Sequence, residues 1–128
     1  MLIPVETHEA PQAIGPYVQA IKAAGMIYTS GQIGLMPNGD LAGDDVVSQT
    51  HQVLKNLHYI LEEGGARMDD VIKTTIYLAN MDDFATVNKI YEQYFGEHKP
   101  ARSTVEVSRL PKDVKIEIEC IAKPDTYR

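Results

Sequence analysis

VIKTTIYLANMDDFATVNKIYEQYFGEHKPARSTVEV, residues 71–107, changes its hydrophobic period twice and reads as strand, helix, strand. From Val71 to Ala79 the side chains alternate. Ile72, Thr74, Ile76 and Leu78 fall on one face and Lys73, Thr75 and Tyr77 on the other, the two-residue repeat of a half-buried strand. From about Asp83 to Phe95 the repeat lengthens, and Phe84, Val87, Ile90, Tyr91 and Tyr94 make a helical stripe whose first turn Asp82 or Asp83 can cap. Ser103 to Val107 alternates again.

Working outward, Val114 to Ala122 is a further alternating strand, reached through a loop that holds Pro111 and Asp113. On the N-terminal side, Val46, Val47, Thr50, Val53, Leu54, Leu57, Ile60 and Leu61 recur at three- and four-residue steps, an amphipathic helix. Asp44 or Asp45 can cap its start, and Gly64-Gly65 suits a left-handed end. Before it, Val18–Ala23 and Met26–Ile33 read as two strands, with Gly25 in the turn between them and Pro37-Asn38-Gly39 reversing the chain after the second. The order is ββαβαββ. Two helices cannot cover both faces of such a sheet, so the expectation is a two-layer α+β fold with both helices on one face. A chain of 128 residues closes one core, so residues 1–128 are expected to form one domain.

The face left open should carry Lys73, Thr75, Tyr77, Arg102, Thr104, Glu106, Lys115, Glu117 and Glu119. That mixture suits a wall buried against another subunit, so an oligomer is expected. A net charge of -6 repels phosphate backbones and makes nucleic acid a disfavoured partner; Lys112, Lys115 and Arg109 are the one loose basic cluster. The lone Cys120 cannot form an internal disulfide, and no CxxC or Cys/His spacing suggests zinc. With no basic leader, no signal-like apolar stretch and nothing near a membrane span, a reducing, cytoplasmic location is expected.

Arg102 is the sharpest candidate for chemistry. Pro100 fixes the approach and the strand fixes the direction, so the guanidinium can meet a carboxylate as a planar fork. Equally, it can form a structural ion pair with Glu106 or Glu119. Glu117, among Ile116, Ile118 and Cys120, should be partly desolvated, which raises a carboxyl pKa toward a useful general-base value; a salt bridge to Lys73 or Lys115 is the plain alternative. Glu119 lies on the same face, and periodicity cannot choose between the two. Ser30-Gly31 interrupts an apolar strand, either as a bulge or as a place where a ligand approaches the backbone. Tyr17, after Gly15-Pro16, can present its phenol from a rigid turn or serve packing.

Other signals are weaker. Gly31-Gln32-Ile33-Gly34 spells GxxG, but in a strand rather than between helices. His51 and His58, seven apart, are the wrong spacing for a helical metal pair and are expected to be solvated. No Walker, Rossmann or GxSxG pattern is present, so no cofactor is expected, and Cys120 should be an inert core filler.

The stretches AIGPYVQA, TSGQIG, VIKTTIYLANMDDFATVN and PARSTVEVSRLPKDVKIEIECIA together closely resemble the Rid family, also called the YjgF family, across nearly the whole chain in order. The resemblance implies a chorismate-mutase-like α+β fold with a mostly antiparallel mixed sheet, and a homotrimer with sites in clefts between subunits. Members of the RidA type are enamine/imine deaminases that hydrolyse 2-iminopropanoate and 2-iminobutanoate, formed from 2-aminoacrylate and 2-aminocrotonate, to 2-oxo acids and ammonia without a cofactor or metal. By that likeness Arg102 binds the substrate carboxylate, Glu117 holds the water, Gly31 and Thr104 contribute backbone contacts, and Tyr17, Ser30 and Asn88 line the cleft. Thr104 departs from the family, which commonly has cysteine there. Ribonuclease or translation-inhibitor activity, attributed to some relatives, and a chaperone-like metabolite sensor are the competing readings.

Overall fold

Strand β6, Ile116–Ala122, is the axis of the sheet, because its residues alternate between full burial and partial exposure along its whole length. The computed structural model describes residues 1–125. Beside β6 lie β3 (Met26–Thr29) on one side and β4 (Val71–Leu78) on the other; β2 (Ala20–Ala23) and β1 (Ile3–Val5) extend the first side and β5 (Ala101–Glu106) the second, giving the order β1-β2-β3-β6-β4-β5. Among the described residues only β4 and β5 run parallel. Helix α2 (Phe84–Phe95) makes the crossover between them, as a parallel pair requires. Helix α1 (Val46–Glu63) completes the helical layer.

The expected α+β class, the mostly antiparallel mixed sheet and both helices are present. The element order is corrected to βββαβαββ. The additional β1 is three residues with Pro4 at its centre, too short and too interrupted for periodicity to reveal. Proline is tolerated there because β1 is an edge strand.

Helix α1 buries Val53, Leu54, Leu57, Ile60 and Leu61 in one cluster with Ile27, Ile76, Leu78, Ile116 and Ile118 of the sheet. Each such side chain contributes about 1.5–3 kcal/mol when taken out of water. The Asp45 carboxylate accepts from Ser48 N at 2.9 Å, the expected N-cap. At the other end Gly65 adopts φ +90°, while its N–H reaches Glu62 O and that of Ala66 reaches Leu61 O, a Schellman closure. Helix α2 starts differently from expectation. Asp83 holds the N-cap position but its side chain makes no capping bond; a 3-10 turn at Met81–Asp83 precedes the helix, and the Asn80 side chain accepts from Asp82 N at 2.9 Å.

Two strands carry irregularities. In β4 the pairing with β6 slips between Val71 and Lys73, so Ile72 turns outward, 48% exposed, and Val71 takes the core position expected of it. The expected strand Met26–Ile33 stops at Thr29 and rejoins β6 at Gln32, whose N–H and C=O both pair with Ile118. Four steps from Tyr28 to Gln32 oppose three from Ile121 to Ile118, so one extra residue sits at Ser30-Gly31. Among the described residues no helix is long and apolar enough to cross a membrane.

Candidate functional site

The candidate residues form two clusters on opposite faces of the sheet. The first is built on β5 and α2. Arg102 lies opposite Thr74 in the parallel register and Thr104 opposite Ile76, both buried against the helices, so Arg102, Thr104 and Glu106 point toward the helical layer. This corrects their placement on the open face. The alternation holds, but the neighbouring strand sets which residues face in, and neither strand direction nor neighbour is visible in one sequence.

The Arg102 guanidinium donates from Nη1 to Asn88 Oδ1 at 2.8 Å and lies 5.0 Å from the Tyr91 ring centroid and 5.4 Å from that of Phe84. No ion pair holds it among the described residues. Glu106 accepts instead from Met81 N, and Glu119 from the Tyr77 hydroxyl, so the structural ion pairs weighed for Arg102 do not form. A cavity of about 540 Å³ opens beside the guanidinium, lined also by Asn88, Tyr91, Glu92, His98 and Lys99. Thr104 Oγ1 is buried with no hydrogen-bond partner among the described residues.

The second cluster lies on the open face. Glu117 neighbours Tyr77 across the ladder and is half-buried, with no hydrogen bond or ion pair among the described residues; Lys73 reaches Ser103 Oγ instead. Burial, and then the Glu119 charge, push its carboxyl pKa up. The bulge brings Gly31 against it: a Cβ there would overlap Glu117 Oε2 and come within 2.8 Å of Cδ. Ser30-Gly31 is therefore a bulge, and the side chain that comes close to the bare Gly31 backbone is Glu117. The Ser30 hydroxyl is committed to Val18 O at 2.6 Å and its N–H to Gln19 O, which ties the bulge to the segment before β2. Tyr17 stands 53% exposed after Gly15, whose φ of +129° makes the turn, and lines with Gly31 a second cavity of about 270 Å³.

Arg102 and Glu117 lie two strands and three residues apart, roughly 14 Å between Cα atoms from ordinary strand spacing and rise, with the sheet between their side chains. One molecule of a three- or four-carbon acid cannot touch both within a single chain. The structure thus unites Arg102 with Asn88, and Glu117 with Gly31, but does not unite the two groups.

Tyr91, Phe84 and Thr74 complete the first cluster, although periodicity marks them only as packing positions. Their signal was the spacing 84, 88, 91, which stacks Phe84, Asn88 and Tyr91 on one helix face. Two further expectations resolve. Cys120 is buried, its thiol pushed up to about 12 by desolvation, as an inert filler should be. His51 is only partly exposed, and its Nδ1 lies 2.9 Å from the Tyr94 hydroxyl across the helix pair.

Comparison with known proteins gives a consistent picture. The family described as Endoribonuclease L-PSP matches residues 7–123. A RutC family protein of Pyrococcus horikoshii is 56% identical, covering 91% of this chain and 93% of its own. A 2-iminobutanoate/2-iminopropanoate deaminase of Salmonella typhimurium is 50% identical, covering 92% and 94%. The crystal structure of E. coli TdcF with bound serine superposes with a TM-score of 0.91 at 45% identity, over 96% of this chain and 99% of that one.

Proposed function

The chain belongs to the endoribonuclease L-PSP family, also called the Rid or YjgF family, and from that premise we propose that it is an enamine/imine deaminase acting on 2-iminopropanoate and 2-iminobutanoate. The observation that carries the reading is Arg102, a guanidinium fixed by Asn88 and two rings yet without a carboxylate partner among the described residues. A half-buried cation so placed is incompletely paired, and a small acid supplies what is missing. A bound serine in TdcF, a relative by structure, is an acid of that size.

The chemistry follows from charge. A protonated imine carbon is already electrophilic, so the protein has to fix the carboxylate and bring water to that carbon. Arg102 does the first, with a charge-assisted bond of about 1.5–3 kcal/mol. Glu117 does the second: its ionised carboxylate accepts a proton as water forms the C–O bond, a contribution of about 10²- to 10⁴-fold. Collapse of the resulting carbinolamine expels ammonia and leaves the 2-oxo acid. Gly31 offers its main chain to the substrate beside Glu117, and the open edge of β5 leaves Thr104 main-chain groups available. Tyr17, Ser30 and Asn88 line the cleft.

Because the two halves lie on opposite faces of one sheet, the complete site in this proposal forms between copies, the Arg102 half of one against the Glu117 half of the next, in a closed homotrimer. The open face, with Tyr28 46% exposed beside Ile21 and Ile121, is the surface such an assembly would cover. Nuclease action is the weaker reading, since the chain is acidic and Arg109 is engaged by Asp113 at 2.6 Å.

The test is hydrolysis of 2-iminobutanoate generated in place by an amino-acid oxidase, with ammonia release trapped against a competing nucleophile. Arg102→Ala should lower kcat/KM about 10- to 150-fold while circular dichroism and assembly size stay unchanged. An unaltered rate would remove Arg102 from the mechanism, and absence of any hydrolysis by the parent protein would end the deaminase reading.

A further inference from the structure

The aromatic support behind Arg102 is itself anchored. Tyr91 is 8% exposed and its hydroxyl lies 2.8 Å from Thr74 Oγ1, a side chain fully buried on β4 directly opposite Arg102 in the strand register. Arg102 thus stands over a ring whose far end is bonded to the neighbouring strand. One edge of the guanidinium is taken by Asn88 through Nη1. An arginine has five N–H donors in one plane, so the remaining edge still offers two parallel donors to a carboxylate.

We propose that Thr74 and Tyr91 are positioning residues for substrate binding: their hydroxyl pair holds the Tyr91 ring against the guanidinium, and the ring sets the plane in which Arg102 meets the substrate carboxylate. The physical reason is entropic as well as electrostatic. An arginine side chain has many rotamers, and a fork is useful only when its plane is already set before the ligand arrives. A cation over a ring face is attracted by the ring quadrupole, and that attraction falls away if the ring tilts. The Thr74–Tyr91 bond prevents the tilt at no cost to the cavity side, where the guanidinium remains open. Thr74 is buried away from the cavity and Tyr91 borders it with its ring, and in this proposal both act through Arg102. The proposal rests on the reading of Arg102 as the carboxylate grip.

Two near-isosteric variants test it, Thr74→Val and Tyr91→Phe, each removing one end of the hydroxyl pair and keeping the packing volume. The readout independent of turnover is the Arg102 Nε–Hε resonance of the full-length protein, assigned by its loss in Arg102→Lys. Ring current from Tyr91 displaces it, and both variants should move it toward the value of an unstacked arginine. With imine substrate, both variants should raise KM about three- to tenfold with kcat nearly unchanged, and the rise should vanish in an Arg102→Lys background.

An unmoved resonance together with an unchanged KM overturns the proposal. So does a KM increase of equal size in the Arg102→Lys background, which would show that the pair acts on something else. If the parent protein hydrolyses no imine, the deaminase reading fails, while the resonance still decides whether Thr74 and Tyr91 orient Arg102.

Discussion

Glu117 and Glu119 are two residues apart on one strand and face the same way, yet their surroundings separate them. The Tyr77 hydroxyl donates to Glu119 at 2.9 Å, whereas Glu117 has only its burial, its acidic neighbour and the bare backbone of Gly31. The pKa of Glu117 is raised in the folded chain, so folding favours its neutral form. The stability this confers is complete below its unfolded pKa and is lost as pH rises through the folded value. At pH 7 the ionised carboxylate therefore costs stability. Glu117→Gln should raise the melting temperature at pH 7, with the difference shrinking as pH falls toward 4, while kcat drops about 10²- to 10⁴-fold. A lower melting temperature at neutral pH would mean that Glu117 is held by a partner rather than poised for a proton. In the parent enzyme the same raised pKa should place the acid limb of the kcat/KM profile above the ordinary glutamate value of 4.5. Gly31→Ala brings a methyl group into the Glu117 carboxylate, and should lower kcat/KM more than about tenfold by displacing it. Wild-type activity in that variant would show that the bulge yields.

At the scale of elements, the helices were legible and the irregular strands were not. The stripe of α1 and its Asp45 cap follow from side chains within one turn of each other, and local rules suffice for local contacts. The bulges of β3 and β4 depend on how each strand meets β6, many residues away in the chain. Ile72 shows the consequence: alternation assigns it to the core, and the slipped register puts Val71 there instead. Ile72→Thr should therefore change unfolding free energy by less than about 0.5 kcal/mol, whereas Ile76→Ala, at a position 1% exposed, should cost about 2–5 kcal/mol. Urea unfolding monitored by far-UV circular dichroism distinguishes these. Similar losses at both positions would place Ile72 under cover.

For the molecule as a whole, the two half-sites make a prediction that neither residue makes alone. Arg102→Ala retains Glu117, and Glu117→Gln retains Arg102, so each variant by itself should be inactive. Co-expressed in equal amounts, they would combine at random around a ring, and about a quarter of the junctions would pair an intact Arg102 with an intact Glu117. Recovery of roughly that share of parent activity, absent when the purified variants are mixed without exchange, is the expected result. No recovery after verified subunit mixing would mean that the two residues do not serve one shared site.

The sequence by itself determined the α+β class, both helices, the central strands, Cys120 as core filler, and Arg102, Glu117 and Gly31 as residues out of keeping with plain packing. These follow from periodicity and from the chemistry of single side chains, which one chain carries whatever its neighbours. The tertiary structure decided the rest. It assigned Arg102 to the helical face and Glu117 to the open one, gave Glu119 a hydrogen bond from Tyr77 that Glu117 lacks, and placed Tyr91 and Thr74 behind the guanidinium. Strand direction and register set each of these, and both are properties of pairs of distant segments, so no single segment can encode them.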